Sequence, residues 1–484
     1  MQDRSTSHQQ FTGSWPKAVL GAFVLFTLLM AAGAGVTVYA RPTAVLCACL
    51  AVASLTWYSP LHATRVALAV MIVTPFVVVV PQLQPDTVNY SLLYAVIVLP
   101  AAIVVCARSP RLVFDSGAVF LTIILGSALV TLLVDDALYS NYGYLLWPVT
   151  TLAVYLIIQN ARRNVHRWVS GLILVFASVE AVIGISQSVL GWPVFPLALP
   201  ALFQTDRGVL GYLLPGVSRA VANGSGTFEH FNGLGSLLAL ALPLSFGQLL
   251  RRPASLWRVL LFAVLAMGLL MTYSRGAWLG GTLGCMLVFW TCRPRASRSW
   301  VPLLLAGIVM TAALIAPSIV SYYDATQNVS SRLVTWRFAL SFWSQHSDWV
   351  IFGSGFGSFQ QRFLAQESVL RAQMLTALHS GFLQILLEVG IVGLAVFAWV
   401  LISTVRPHLS RRGMRWQSVA LAAVLAFLVS QAVDNALFAM TGTCAFALVA
   451  CLRRADARIS PADRADDGSL AVRATAGHRK VTHD

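Results

Sequence analysis

Apolar runs of about 20 residues recur along most of this 484-residue chain, and few folds can absorb them. Each is long enough to cross a hydrocarbon core as a helix. A bilayer leaves backbone N–H and C=O groups no water to bond. The spanning solutions are therefore helices or closed barrels, and continuous apolar runs without period-2 alternation select helices. Composition agrees. Apolar residues make up 57% of the chain and charged residues 11%, with a mean hydropathy of +0.74; soluble domains carry roughly 25% charged residues. The expected fold class is all-α, a polytopic integral membrane helical bundle of about 12–14 transmembrane helices, with a large outer loop containing short helices.

The apolar segments fall near 17–39, 42–58, 64–81, 90–107, 116–134, 143–159, 168–190, 231–250, 257–273, 276–292, 300–319, 380–404, 416–434 and 436–452. Residues 1–16 read as a cytoplasmic tail, 17–452 as one transmembrane bundle, and 453–484 as a polar, disordered cytoplasmic tail. The first segment is too long for the apolar core of a signal peptide and is expected to be a retained helix. Two outer loops are long, about 191–229 and 320–378, and loops of that length usually carry function. In the second, Ser331 to Trp343 has apolar residues at helical spacing and interfacial aromatics, so it predicts an amphipathic helix on the membrane.

Basic residues set the expected orientation. Alternate short loops hold Arg65; Arg108 and Arg111; Arg162, Arg163 and Arg167; Arg251, Arg252 and Arg258; Arg293, Arg295 and Arg298; and Arg406, Arg411, Arg412 and Arg415. Those loops are expected inside, with both termini. The net charge of +15 is then mainly a topology signal, not a nucleic-acid footprint. All seven cysteines lie in or at the edge of apolar segments, so no extracellular disulfide framework is implied. No zinc-ligand spacing, Walker A loop or dinucleotide fingerprint is present in the sequence. The expectation is no cofactor, no nucleotide and no metal.

Against that bias, Arg207, Arg219, Arg275, Arg332, Arg337, Arg362 and Arg371 fall on the outer side. Arg275 lies in a short break, Thr272-Tyr273-Ser274, between two apolar helices. An arginine at that depth is expensive and usually partnered, and its fork suits a phosphate or diphosphate. Snorkelling, or pairing with Asp434, is the bland alternative. His230 and Asn232 open the helix after the first long loop, where helix capping and glycine packing are the bland reading. Glu180 and Glu388 are two of only four glutamates, and both fall inside apolar segments. Glu388 reads as either a functional carboxyl or a packing group. His379 ends the second loop, just before an apolar helix. An imidazole there has the pKa range of a general base.

Several of these segments resemble the membrane glycan ligase/polymerase superfamily, closest to the O-antigen ligases. Gly226-Thr227-Phe228-Glu229-His230-Phe231-Asn232 is similar to the family's Gly-Thr-Phe-x-His-x-Asn pattern. Ser274-Arg275 resembles its Ser-Arg break. Arg332, Trp336 and Gly353-Ser354-Gly355 resemble its Arg-x-x-x-Trp…Gly-x-Gly loop. His379-Ser380, nine residues, then Gly390-Ile391-Val392-Gly393 resembles the ligase motif, except that Leu394 stands where the family often has Thr. The resemblance spans about 220–400. It implies an undecaprenyl diphosphate-linked glycan donor at the periplasmic face of the bacterial inner membrane, and a lipid A–core or other glycan acceptor. His379 would be the catalytic base. Arg275, Arg219, Arg207, Arg332, Arg337, His230 and Asn232 would bind diphosphate or glycan, and Glu388, Gly390 and Gly393 would support the site. The donor is already activated, so an inverting, metal-independent displacement is the simplest mechanism.

The expected reaction is O-antigen ligation to lipid A–core, with polymerisation of carrier-linked repeat units as the alternative. A protein O-oligosaccharyltransferase is disfavoured because only a short polar stretch follows the last helix. A secondary transporter or flippase is the alternative from another class, with Glu180, Glu388 and Arg275 as coupling groups. Inverted repeats and charges spread through the bundle would favour it, and neither is visible. The orientation is directly testable. An alkaline phosphatase fusion at residue 345 should be active and one at 255 inactive; the reverse pattern would place the outer arginines on the wrong side for a periplasmic donor.

Overall fold

The structure, a computed structural model, describes residues 65, 90–109, 112–134, 143–161, 165–190, 226, 228, 231–291, 328–358, 378–409 and 416–457. Its regular elements are all helical. In chain order they are α1 (Tyr90–Ala107), α2 (Ser116–Val134), α3 (Gly143–Asn160), α4 (His166–Leu190), α5 (Phe231–Arg251), α6 (Leu256–Met271) and α7 (Arg275–Thr291). Then follow α8 (Asn328–Ser344), α9 (Ser347–Phe352), α10 (Gly381–Leu409), α11 (Trp416–Gln431), a 3₁₀ turn at Ala436–Phe438 and α12 (Met440–Ala457). The expected segments at 17–39, 42–58, 64–81 and 300–319 lie outside the described residues, Arg65 excepted. Helices α2, α4, α5 and α10 are long and apolar enough to cross a membrane by length and composition.

Helix α5 is the centre of the bundle: 89% of its apolar window is buried, against 44% for α2 and α10. It packs on α4, α6, α7 and α11. Lipid tails are as apolar as leucine, so close backbone approach and van der Waals contact must hold such helices together. Small residues allow it. Gly276, Gly280 and Gly284 repeat every fourth position along one face of α7, and that face meets α11. A Cβ at Gly280 would run into the carbonyl of Ala426, and one at Gly284 into Pro243 of α5 and Ala426 of α11.

The helix ends sort into two sets. At one end, Asp115 caps α2 by accepting from the Gly117 and Ala118 amides at 3.0 and 3.2 Å. The same carboxylate accepts from the Tyr155 hydroxyl and Gln159 of α3, and from Arg453 Nε of α12 at 2.6 Å. Arg453 also donates to Ser403 of α10, and Arg454 donates to the carbonyls of Ile158 and Gln159. These arginines draw α12 five residues beyond 452, to Ala457, where the polar tail was expected to begin. On this side Arg108 directly follows α1, and Arg251 and Arg406 lie in the last turns of α5 and α10.

The glycine contact gives a stability prediction. Gly280→Ala should lower the detergent-solubilised protein's stability by about 1–3 kcal/mol through overpacking. Gly171→Ala, where a Cβ meets nothing within 4 Å, should be neutral or slightly stabilising. Thermal unfolding of the two variants side by side checks this; equal behaviour would remove the close-packing argument.

Candidate functional site

At the other end of the bundle, the connection between α11 and α12 collects segments that are distant in sequence. The Gly381 amide donates to the Asp434 carbonyl at 2.7 Å. Arg332 of α8 donates through Nη1 to the Val433 carbonyl at 2.9 Å. Gly276, the second residue of α7, lies so close that a Cβ would strike the Val433 side chain. Arg275, His379 and Arg332 are therefore each within two residues of a group touching Val433 or Asp434.

Local structure explains how each reaches this turn. Helix α6 ends at Met271, and the Thr272 and Tyr273 amides close its last turn on Leu269 and Leu270. Tyr273 adopts a left-handed φ of 56°, which redirects the chain. Trp278 Nε1 then donates to the same Leu269 carbonyl at 2.7 Å. Thr272 and Ser274 are buried while Arg275 is exposed at the head of α7. The short break read from the sequence is thus a tight helix–helix corner that sets an arginine at its rim.

His379 is half-buried and also left-handed, with φ 47°. A non-glycine residue there carries strain of about 1–3 kcal/mol, which surrounding contacts must hold. They do so on both sides. Trp336 Nε1 of α8 donates to the Leu378 carbonyl at 2.6 Å, and Gly381 is tied to Asp434. Ser380 starts α10, its carbonyl accepting from the Gln384 amide at 3.0 Å. Helix α8 matches the helix expected at 331–343. It lays Thr335 and Ala339 inward and leaves Leu333, Val334, Leu340 and Arg337 exposed.

The two glycine motifs form one device. Helix α10 breaks at Gly390, whose φ of 75° and ψ of −173° are non-helical. The Ser354 and Gly355 amides donate to the carbonyls of Leu387 and Glu388 at 2.9 and 3.0 Å, so the loop completes the hydrogen bonding of the broken helix. A Cβ on Gly390 would collide with the Ile351 carbonyl and the Gly353 amide, and one on Gly353 with the Glu388 carbonyl. Glu388 is buried beside the break and accepts from Gln384 Nε2 at 3.1 Å. A Cβ at Gly393 would meet Val389 in the turn before it.

Asn232 is buried in the first turn of α5. Gly226 is held from both sides by Gln187 of α4, whose amide accepts from its N–H and donates to its carbonyl, each at 2.8 Å. Gly226 has φ 63° and packs against Glu180, so this part of the motif is a left-handed turn locked on α4. Arg207, Arg219 and His230 lie outside the described residues, as do Arg362 and Arg371. Sequence reading weighed Asp434 only as a partner for Arg275. The structure puts it beside Arg332, buried, with Oδ1 accepting from the Asn435 amide. Its position between two apolar helices at the same end as His379 was the available signal.

An apolar groove of ≈740 Å³ starts at this corner. Gly276 of α7, Phe382 of α10 and Val433 stand at its top, and it descends past Leu283 and Leu287 of α7 to Leu401 of α10. From Gly276 to Leu287 is about 16 Å of helix at 1.5 Å per residue.

No curated protein matches the chain. A family model described as O-antigen ligase matches residues 260–398, from α6 into α10. The matched stretch holds Arg275, Arg332, Arg337, His379, Glu388, Gly390 and Gly393, and it ends before Asp434. The described residues of this chain form an all-helical membrane protein, and its residues 260–398 are similar to the O-antigen ligase family.

Proposed function

We propose that this chain transfers a glycan from an undecaprenyl diphosphate carrier to an acceptor hydroxyl at the periplasmic face of the bacterial inner membrane, with the lipid A–core as acceptor. One observation carries the reading: Arg332 and the chain segments bearing Arg275 and His379 meet at the turn after α11, beside the top of the apolar groove between α7, α10 and α11. A polyprenyl tail fits the groove's chemistry. A diphosphate fits the guanidinium groups above it.

The reaction follows from those positions. The acceptor O–H gives its proton to His379 as its oxygen attacks the anomeric carbon. The bond from that carbon to the diphosphate oxygen breaks on the opposite face, which inverts the configuration. Negative charge grows on the departing lipid diphosphate, where Arg275 and Arg332 supply fixed positive charge. The strained backbone at His379, pinned by Trp336 and Asp434, holds the imidazole ready at no cost in reorganisation during the reaction. Arg337 is exposed on α8 and adds charge to the approach. Glu388, Gly390 and Gly393 act indirectly, by fixing the shape of α10 below His379.

Transfer to purified lipid A–core, against transfer to a second carrier-linked repeat unit, distinguishes ligation from polymerisation in the same assay. In it, Arg275→Ala should lower turnover about a hundredfold, the loss of one preorganised charge contact. Arg275→Lys should recover only part, because a point charge lacks the fork. An inserted, folded alanine variant with full activity would make Arg275 an interfacial anchor only.

His379→Ala should lower the maximal rate by about 10² to 10⁴ while leaving donor binding nearly intact. Single-turnover rates across pH 5.5–8.5 should rise to a plateau with an inflection in the imidazole range, and the variant should lose that inflection. Lost donor affinity with an unchanged maximal rate would move His379 to the diphosphate site and sink the general-base assignment.

A further inference from the structure

The carboxyl of Asp434 has no part in the mechanism above, yet its placement is unusual. The residue is only 5% exposed. Oδ1 accepts from the Asn435 amide at 2.8 Å, while Oδ2 is buried with no hydrogen-bond partner among the described residues. A buried carboxylate oxygen without a donor is costly unless the group is protonated or meets something else. Its own residue and the one before it hold the site together, through the Asp434 carbonyl on Gly381 and the Val433 carbonyl on Arg332. An orphaned acceptor is thus built into the turn that gathers the cationic and imidazole groups.

Among the described residues, the charged and titratable groups nearest this turn along the elements packed on it are Arg332 of α8, Arg275 at the head of α7 with Tyr273 ahead of it, and His379 ahead of α10; Arg337 of α8 and Glu388 of α10 stand farther along the same helices. Helices α5, α11 and α12 bring neutral groups to this end: Asn232 and Ser236, Gln431, and Thr441. Burial pushes the Asp434 carboxyl up to about 7; the Asn435 amide and the Arg332 charge pull the other way but do not outweigh it.

We propose that Asp434 is a proton-coupled positioning residue of the donor site, taking up a proton when a lipid diphosphate binds beside Arg332. The inference rests on the diphosphate-donor reading. As a carboxylate, Asp434 competes with the incoming diphosphate for the Arg332 guanidinium and repels it. As a neutral acid, it leaves Arg332 to the ligand, and its O–H turns the orphaned oxygen into a donor. A diphosphate brought close favours the protonated form further. Ligand and proton therefore help each other bind, and the coupling is reciprocal. Because the free protein's carboxyl titrates at about 7, donor affinity should be pH-independent below that value and fall as pH rises through it, by up to about tenfold per pH unit.

The test uses the full chain in detergent and a farnesyl diphosphate-linked N-acetylglucosamine probe. Its diphosphate is esterified at both ends, so each phosphorus carries one ester and one anhydride bond and stays singly ionised over the range, and the probe does not titrate. Dissociation constants are measured from pH 6 to 8.5, with calorimetry at pH 7.5 in two buffers of different ionisation enthalpy. Wild type should take up a proton on binding and weaken above pH 7. Asp434→Asn should bind without proton uptake, with a flat profile, and more tightly than wild type at pH 8. His379→Gln should keep the slope; if it abolishes the slope instead, the coupled group is the histidine and the proposal falls. A flat wild-type profile, or an Asp434→Asn variant that keeps its slope, also overturns it while leaving the donor reading intact. Absence of probe binding at any pH, in wild type and Arg275→Ala alike, overturns both.

Discussion

In hydrocarbon, a helix can be interrupted only where some other part of the protein completes its hydrogen bonds, and this constraint organises the functional end of the molecule. Three interruptions lie at this end among the described residues. After α6, Trp278 and the Thr272 and Tyr273 amides satisfy the open carbonyls. Within α10, Ser354 and Gly355 satisfy Leu387 and Glu388. After α11, Arg332 and Gly381 occupy the carbonyls of Val433 and Asp434. Each break is also where a candidate functional residue leaves the apolar pattern. The site is the set of places where the helical ladder has been opened and closed again by a partner from far along the chain.

The hydropathy pattern carried the helices, because length and apolarity are set by the bilayer and need no knowledge of neighbours. Expected and observed segments agree within a few residues from 90–107 to 257–273. They diverge at the last helix, where Arg453 and Arg454 look like the start of a polar tail but bond to Asp115 and to the end of α3. Such a difference is invisible along one chain, since the partner lies more than 290 residues away. The glycine motifs were readable as motifs, but not as an interlock. That Gly353 and Gly390 each exclude a side chain on the other's behalf is a tertiary fact.

The candidate site was legible to the same degree. Arg275 and His379 stood out by type and position, because charged groups at the outer ends of apolar helices are rare. Asp434 was readable only as a possible counter-ion, since its significance depends on which arginine approaches it and how deeply it is buried. The left-handed backbones at Tyr273 and His379 had no sequence signal at all. A tyrosine and a histidine do not announce positive φ as glycine does; they hold it because Trp278 and Trp336 cap the neighbouring turns.

The two ends of the bundle use arginine in opposite ways, and the contrast bears on what the site can bind. Arg453 sits on the Asp115 carboxylate at 2.6 Å, within a shell of Tyr155, Gln159 and Ser403. That pair is neutral as a unit, and its purpose is to join α2, α3, α10 and α12. Arg332 instead donates to a backbone carbonyl, which orients its guanidinium. The nearby carboxyl is one that burial keeps largely protonated below neutral pH. A guanidinium oriented in this way, beside the start of an apolar groove, is compatible with the lipid-linked anion proposed as the donor.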